Sequence, residues 1–82
     1  MSILLENLEQ LKTTPLGVVR IKRNLDLECD DVVKWCKQQI LTADKITKEG
    51  KNFYVYKDYV IITVNSYSYG IITAHKQKRG TS

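Results

Sequence analysis

His75 and Lys76 stand side by side near the end of the chain, and His75 is the only histidine. An imidazole titrates at about 6.5, so it can accept or donate a proton at neutral pH. An ammonium beside it would stabilise negative charge on a reacting phosphate. Together with Tyr59, Lys51 and Arg79, these groups would make a minimal metal-independent ribonuclease. Attack by a 2′-hydroxyl needs a proton acceptor and a stabiliser for the phosphorane, and His75 with Lys76 is the compact pair that would supply both. The plainer reading is a strand-end histidine facing solvent. No carboxylate falls on a strand face to act as a second catalytic group, since Asp58 sits in a turn. The balance leans away from an enzyme.

The tyrosines are the stronger signal. Six of the seven aromatic residues lie between Phe53 and Tyr69. Tyr54 and Tyr56 share one face of a strand, and Tyr67 and Tyr69 follow in the next hairpin. Interleaved with Lys51, Lys57 and Lys76, and followed by Lys78 and Arg79, they would stack bases and hold phosphates. Such stacking is worth about 1–3 kcal/mol per base. Tyrosine is also an ordinary strand residue with a wet hydroxyl, and it is enriched in protein interfaces.

Metal and cofactor chemistry is not expected. One histidine and two cysteines do not make a four-ligand site. There is no phosphate-binding glycine loop, nucleophile elbow or HExxH. Cys29 and Cys36, read on one helix stripe, would lie about 10 Å apart along its axis, too far for a disulfide. They read as small core residues of a reduced, cytoplasmic protein.

These groups must be positioned by a single domain, 1–82. A chain of this length buries only about 60% of its unfolded surface, so self-association is a realistic expectation. No apolar run reaches the roughly 20 residues of a membrane span. The opening Met-Ser-Ile-Leu-Leu-Glu has no basic region and is not expected to be a signal peptide. The net charge of +4 is uneven: residues 1–31 hold six acids and four bases, and residues 32–82 hold nine bases and three acids. That asymmetry suggests an anionic partner for the second part.

Residues 1–50 read as a helical half. Ser2 would cap a first helix carrying Leu4, Leu8 and Leu11 on one stripe. Thr14 then Pro15 is a helix start, and this second helix should run to about Leu25 with Leu16, Val19 and the stem of Arg23 sharing one side. Arg20, Lys22 and Arg23 make a solvated basic face. The third helix has acids at its start and buries Cys29, Val32, Val33, Cys36, Ile40 and Ala43. Trp35 seals its stripe, Ile46 closes its last turn and Gly50 stops it. Residues 51–76 read as a three-stranded antiparallel meander: Asn52–Lys57, Tyr59–Asn65 and Tyr69–Lys76. A three-residue second hairpin would bury Val60, Ile62 and Val64 with Ile72, and would set Tyr59 opposite His75 and Asn65 opposite Tyr69; a two-residue loop would turn the last strand to its other face, and the first is favoured because it separates apolar from polar better. Residues 77–82 are left as a basic tail. The fold class is α+β.

Three stretches carry a family resemblance: Gly50-Lys51-Asn52-Phe53-Tyr54-Val55, Thr63-Val64-Asn65-Ser66-Tyr67-Ser68-Tyr69 and Ile71-Ile72-Thr73-Ala74-His75-Lys76. Pro15-Leu16-Gly17, Arg20-Ile21 and Asn24-Leu25 agree with it. The chain resembles a family of short, mostly Gram-positive bacterial proteins catalogued as a domain of unknown function. The resemblance implies the same fold and a bacterial or mobile-element origin, and it carries no activity.

The leading expectation is a binding module that turns a basic, tyrosine-rich sheet toward an anionic partner, foremost a nucleic acid. The alternatives are a small protein-binding inhibitor of phage or anti-defence type and a metal-independent ribonuclease-like toxin.

Overall fold

The computed structural model describes residues 3–76. The tail cations Lys78 and Arg79 and the expected cap Ser2 lie outside the described residues. In chain order the elements are α1 (Ile3–Glu6), a 3-10 turn (Leu8–Gln10), α2 (Pro15–Leu25), α3 (Val32–Leu41), β1 (Lys45–Glu49), β2 (Asn52–Lys57), β3 (Val60–Asn65) and β4 (Ile71–Lys76). The strands form one antiparallel sheet in the order β1-β2-β3-β4. The fold is α+β as expected, with four strands where three were read.

The helices follow from local chemistry. Asn7 breaks the first helix into a turn of α and a turn of 3-10, its side-chain amide bonded to Ile3 O and its carbonyl oxygen to Gln10. Thr14 caps α2 by accepting from Gly17 N–H at 3.0 Å, with Pro15 in the first turn, and Asp26 ends it in the left-handed region. Asp31 caps α3 by accepting from Lys34 N–H at 3.0 Å. Capping of this kind satisfies backbone donors that a helix start leaves free.

Helix α3 stops at Leu41, short of the expected Ala43–Ile46. The Thr42 hydroxyl bonds back to Gln38 O, and the chain then leaves as β1. Ile46 pairs with Val55 and Thr47 with Tyr54. The spacing of Ala43 and Ile46 mimics a helix turn, but β-branched Ile46 and Thr47 complete the sheet instead. Gly50 is therefore a hairpin residue rather than a helix stop. Its φ of +62° opens the two-residue Gly50-Lys51 loop, where a positive φ is needed. Cys29 lies before α3 and not on its stripe, although it packs against the core.

One face of the sheet is buried. Phe53, Val55, Ile62, Val64, Ile71 and Ala74 pack with Leu4, Leu11, Ile21, Leu25, Val32, Cys36 and Ile40 in a single cluster. Helix α2 buries Ile21 and Leu25, whereas Leu16 is 79% and Val19 55% exposed. The helix carries two apolar stripes, and Val18, Ile21 and Leu25 are the one that meets β4. Val33 and Val60 border the cluster rather than filling it.

The second hairpin differs from expectation. Asn65 N–H donates to Gly70 O at 2.9 Å, so the loop holds four residues and Asn65 faces Gly70, not Tyr69. Strand β4 then bulges at Ile72: Val64 pairs with Ile71, but Thr63 pairs with Thr73. The longer loop inverts the side-chain alternation, and the bulge inverts it back. Ile71 and Ala74 are both buried, while Ile72 is 45% exposed and leaves the core it was expected to join. Lys12 fixes this geometry. Its N–H donates to Tyr69 O at 3.1 Å and its carbonyl accepts from Ile71 N–H at 2.7 Å.

Ile62→Ala should lower the free energy of unfolding by about 2–5 kcal/mol, and Ile72→Ala by less than about 1 kcal/mol. Urea titrations of the two variants check both; equal losses would contradict the bulge.

Candidate functional site

The unburied face of the sheet gathers the chemistry. Three rows of cross-strand neighbours cross it: Lys45–Tyr56–Ile61–His75, Thr47–Tyr54–Thr63–Thr73, and Glu49–Asn52–Asn65. Directly opposed residues sit with Cβ atoms about 4.5–5.5 Å apart, so each row is a line of touching side chains. Tyr54 and Tyr56 lie two apart on the interior strand β2 and stand next to each other on this face, as expected. Lys45 places its ammonium 5.8 Å from the centre of the Tyr56 ring, within reach of a cation–π attraction. Thr63 is buried among these neighbours. The Thr47 hydroxyl oxygen is covered and makes no hydrogen bond.

The remaining candidates are dispersed. His75 is exposed on the same face, but its partner across the ladder is Ile61, not Tyr59. The register has slid by two residues, and Tyr59 lies in the turn between β2 and β3. Lys76 is paired with Val60, and side chains alternate along a strand, so Lys76 and His75 leave opposite faces of the sheet. Lys57, paired with Val60 in β2–β3, also belongs to the helix side. Tyr69 takes a positive φ of 58° and stacks on Phe53, with ring centres 6.4 Å apart, and so packs against the edge of the core. Tyr67 and Lys51 occupy loops at one end of the sheet, tied together by Ser66 N–H donating to Lys51 O at 2.8 Å. The Asn65 side chain shapes that loop by accepting from Tyr67 and Ser68 N–H.

Helical spacing carried through to Ile46 sets Lys45 on a helix surface, so that spacing gives no sign of its place on the sheet. The polar row of Thr47, Thr63 and Thr73 is hidden with it. A Lys-Ile-Thr-Lys-Glu stretch followed by Gly-Lys is the signal that would have found β1: a β-branched pair flanked by charges, then a two-residue turn.

Among the described residues no three His, Cys, Asp or Glu side chains converge as a metal site would require. No helix among them is long and apolar enough to cross a membrane. Both cysteines are free thiols.

Residues 5–75 match the family described as "Protein of unknown function (DUF3781)". The chain belongs to that family, which bears out the resemblance read from its motifs. The match runs from α1 through β4 and so includes the whole open face. No curated protein and no solved structure matches the chain.

Burial drives the Cys36 thiol up to about 12, with a smaller contribution from Cys29 beside it. The thiolate is the reactive form, so Cys36 should be inert in the folded protein. In a Cys29→Ser background at pH 8, Ellman's reagent should label Cys36 only after denaturant is added. Labelling of the native protein at the rate of a free thiol would contradict this packing.

Proposed function

We propose that the chain is a binding module that takes single-stranded nucleic acid on the open face of its sheet. The observation that carries this reading is the pair Tyr54 and Tyr56, neighbours on one face of an interior strand and uncovered by any helix among the described residues, with Lys45 over the Tyr56 ring. Two ring faces at neighbouring positions suit successive unstacked bases, and stacking is tolerant of sequence. Asn52, Asn65, Thr63 and Thr73 surround the rings with groups that donate and accept hydrogen bonds.

The charge pattern refines the reading. On the paired positions of the open face, Lys45 is the lone lysine or arginine, balanced by Glu49 in the same strand. Affinity on this face would then come mainly from stacking rather than from neutralised phosphates. The ribonuclease alternative has less support, because His75 and Lys76 leave opposite faces. The protein-inhibitor alternative uses the same tyrosines and is separated from the first by the experiment.

A fluorescent single-stranded RNA of about twelve nucleotides, titrated by anisotropy, tests the proposal. Tyr54→Ala and Tyr56→Ala should each weaken binding by about 5- to 100-fold. Lys45→Ala should reduce the slope of log affinity against log salt by about 1. Absence of binding to RNA and DNA single strands at low salt would sink the nucleic-acid reading and favour a protein partner.

A further inference from the structure

The two edges of the sheet are treated differently. The β4 edge is occupied: Lys12 bridges its start, the Thr13 hydroxyl reaches Ile71 O, and Asn24 donates to Ala74 O at 3.2 Å. The β1 edge pairs with β2 alone, and among the described residues no strand or bridge covers its other side. An uncovered edge is a template for another strand.

The residues of β1 say which strand. Because Gly50-Lys51 is a two-residue loop, Glu49–Asn52 is a hydrogen-bonded pair, and so by alternation are Thr47–Tyr54 and Lys45–Tyr56. The N–H and C=O groups of Ile46 and Lys48 therefore turn to the open side. If a second copy of β1 runs antiparallel about a two-fold axis at Thr47, Ile46 meets Lys48 of the other copy and both exchange their hydrogen bonds. Lys45 meets Glu49 of the other copy, twice over. Thr47 meets itself in a non-hydrogen-bonded pair, where side chains approach most closely. This is the centre that pairs all five residues of the strand.

A separate observation points to the same axis. The Thr47 hydroxyl oxygen is covered yet has no hydrogen-bond partner. Such a group costs free energy, and the paired arrangement sets the hydroxyl of a second Thr47 directly across from it. Opposite charges and Thr–Thr contacts across strands are both stabilising pairs.

We propose that β1 is the interface of a symmetric dimer, joining two four-stranded sheets into one of eight strands. The Lys45 and Glu49 charges make the edge complementary to itself. The open faces become continuous, with Tyr54 and Tyr56 of both copies flanking the axis. This proposal does not rest on the nucleic-acid reading, and its test uses no ligand.

Sedimentation velocity of the full chain from about 1 to 500 µM decides it. The expected species approaches twice the 9.5 kDa chain mass as concentration rises. Lys48→Pro removes an N–H that faces the open side and keeps the β1–β2 bonds, so it should give a monomer with an unchanged circular dichroism spectrum. Lys45→Glu and Glu49→Lys should each weaken association by about tenfold, and the double variant should restore it. The charge exchange decides the matter even if the proline variant unfolds. A wild-type protein that stays monomeric throughout overturns the proposal. So does a dimer indifferent to the charge exchange.

Discussion

Burial of one sheet face against three short helical segments is the constraint on which everything else in this protein depends. A chain of 82 residues has one core to make, and a small core is thin in free energy. Leu4, Ile21, Val32, Cys36 and Ile40 cover Val55, Ile62, Val64 and Ala74, and each of these is essentially sealed from water. Side-chain alternation then dictates the other face. Whatever β1, β2, β3 and β4 place opposite those positions has to live without helical cover. Tyr54, Tyr56, Thr63 and Thr73 are there because Phe53, Val55, Ile62, Val64 and Ala74 are not. The candidate site is thus the complement of the core.

Lys12 holds the two halves in the alignment that makes this work. Its two backbone hydrogen bonds stitch the segment before α2 onto the start of β4. Tyr69 enters the left-handed region there, and Ile71 is turned inward beside it. The bulge at Ile72 then restores the alternation so that Ala74 also points inward. Without that extra residue the strand could bury Ile71 or Ala74, but not both. Helix α2 packs along the result, and the Asn24 side chain closes the strand's outer carbonyl.

What could be read in the sequence is what local chemistry determines. Thr14 and Pro15 fixed the start of α2, and Leu25 its end, because caps act within one turn. Asn52–Lys57 was read to the residue, since β-branched and aromatic residues there are bounded by turns. What could not be read is decided by contacts distant in sequence. Lys45–Glu49 is a strand because β2 offers it an edge, while its own spacing fits a helix equally well. Leu16 and Val19 look as apolar as Val18 and Ile21, and the position of β4 chooses between them. The bulge needs Lys12, which is some sixty residues away. In the candidate site, Tyr54 and Tyr56 were legible as a pair because they lie on one strand. Tyr69, Lys57 and Lys76 were misallied with them because their faces depend on loop length and register.

The charge asymmetry of the sequence takes on a different meaning in the fold. The nine bases of the second part suggested one cationic surface, but the ladder disperses those it carries. Lys45 is on the open face, Lys48, Lys57 and Lys76 alternate to the other side, Lys51 is in a turn, and Lys34 and Lys37 are on α3. Among the described residues no phosphate-tracking groove arises from that distribution, so net charge alone would be a poor guide to what the sheet binds. Charge instead has its most defined placement on the open edge strand, where lysine and glutamate bracket a covered, unpartnered threonine hydroxyl. Lysine on an edge strand ordinarily repels foreign strands. A lysine balanced by a glutamate four residues on repels most of them and still admits an antiparallel copy of itself. The same five residues can therefore guard the edge against aggregation and specify one pairing, and selectivity of that kind comes from a repulsive element as much as from an attractive one.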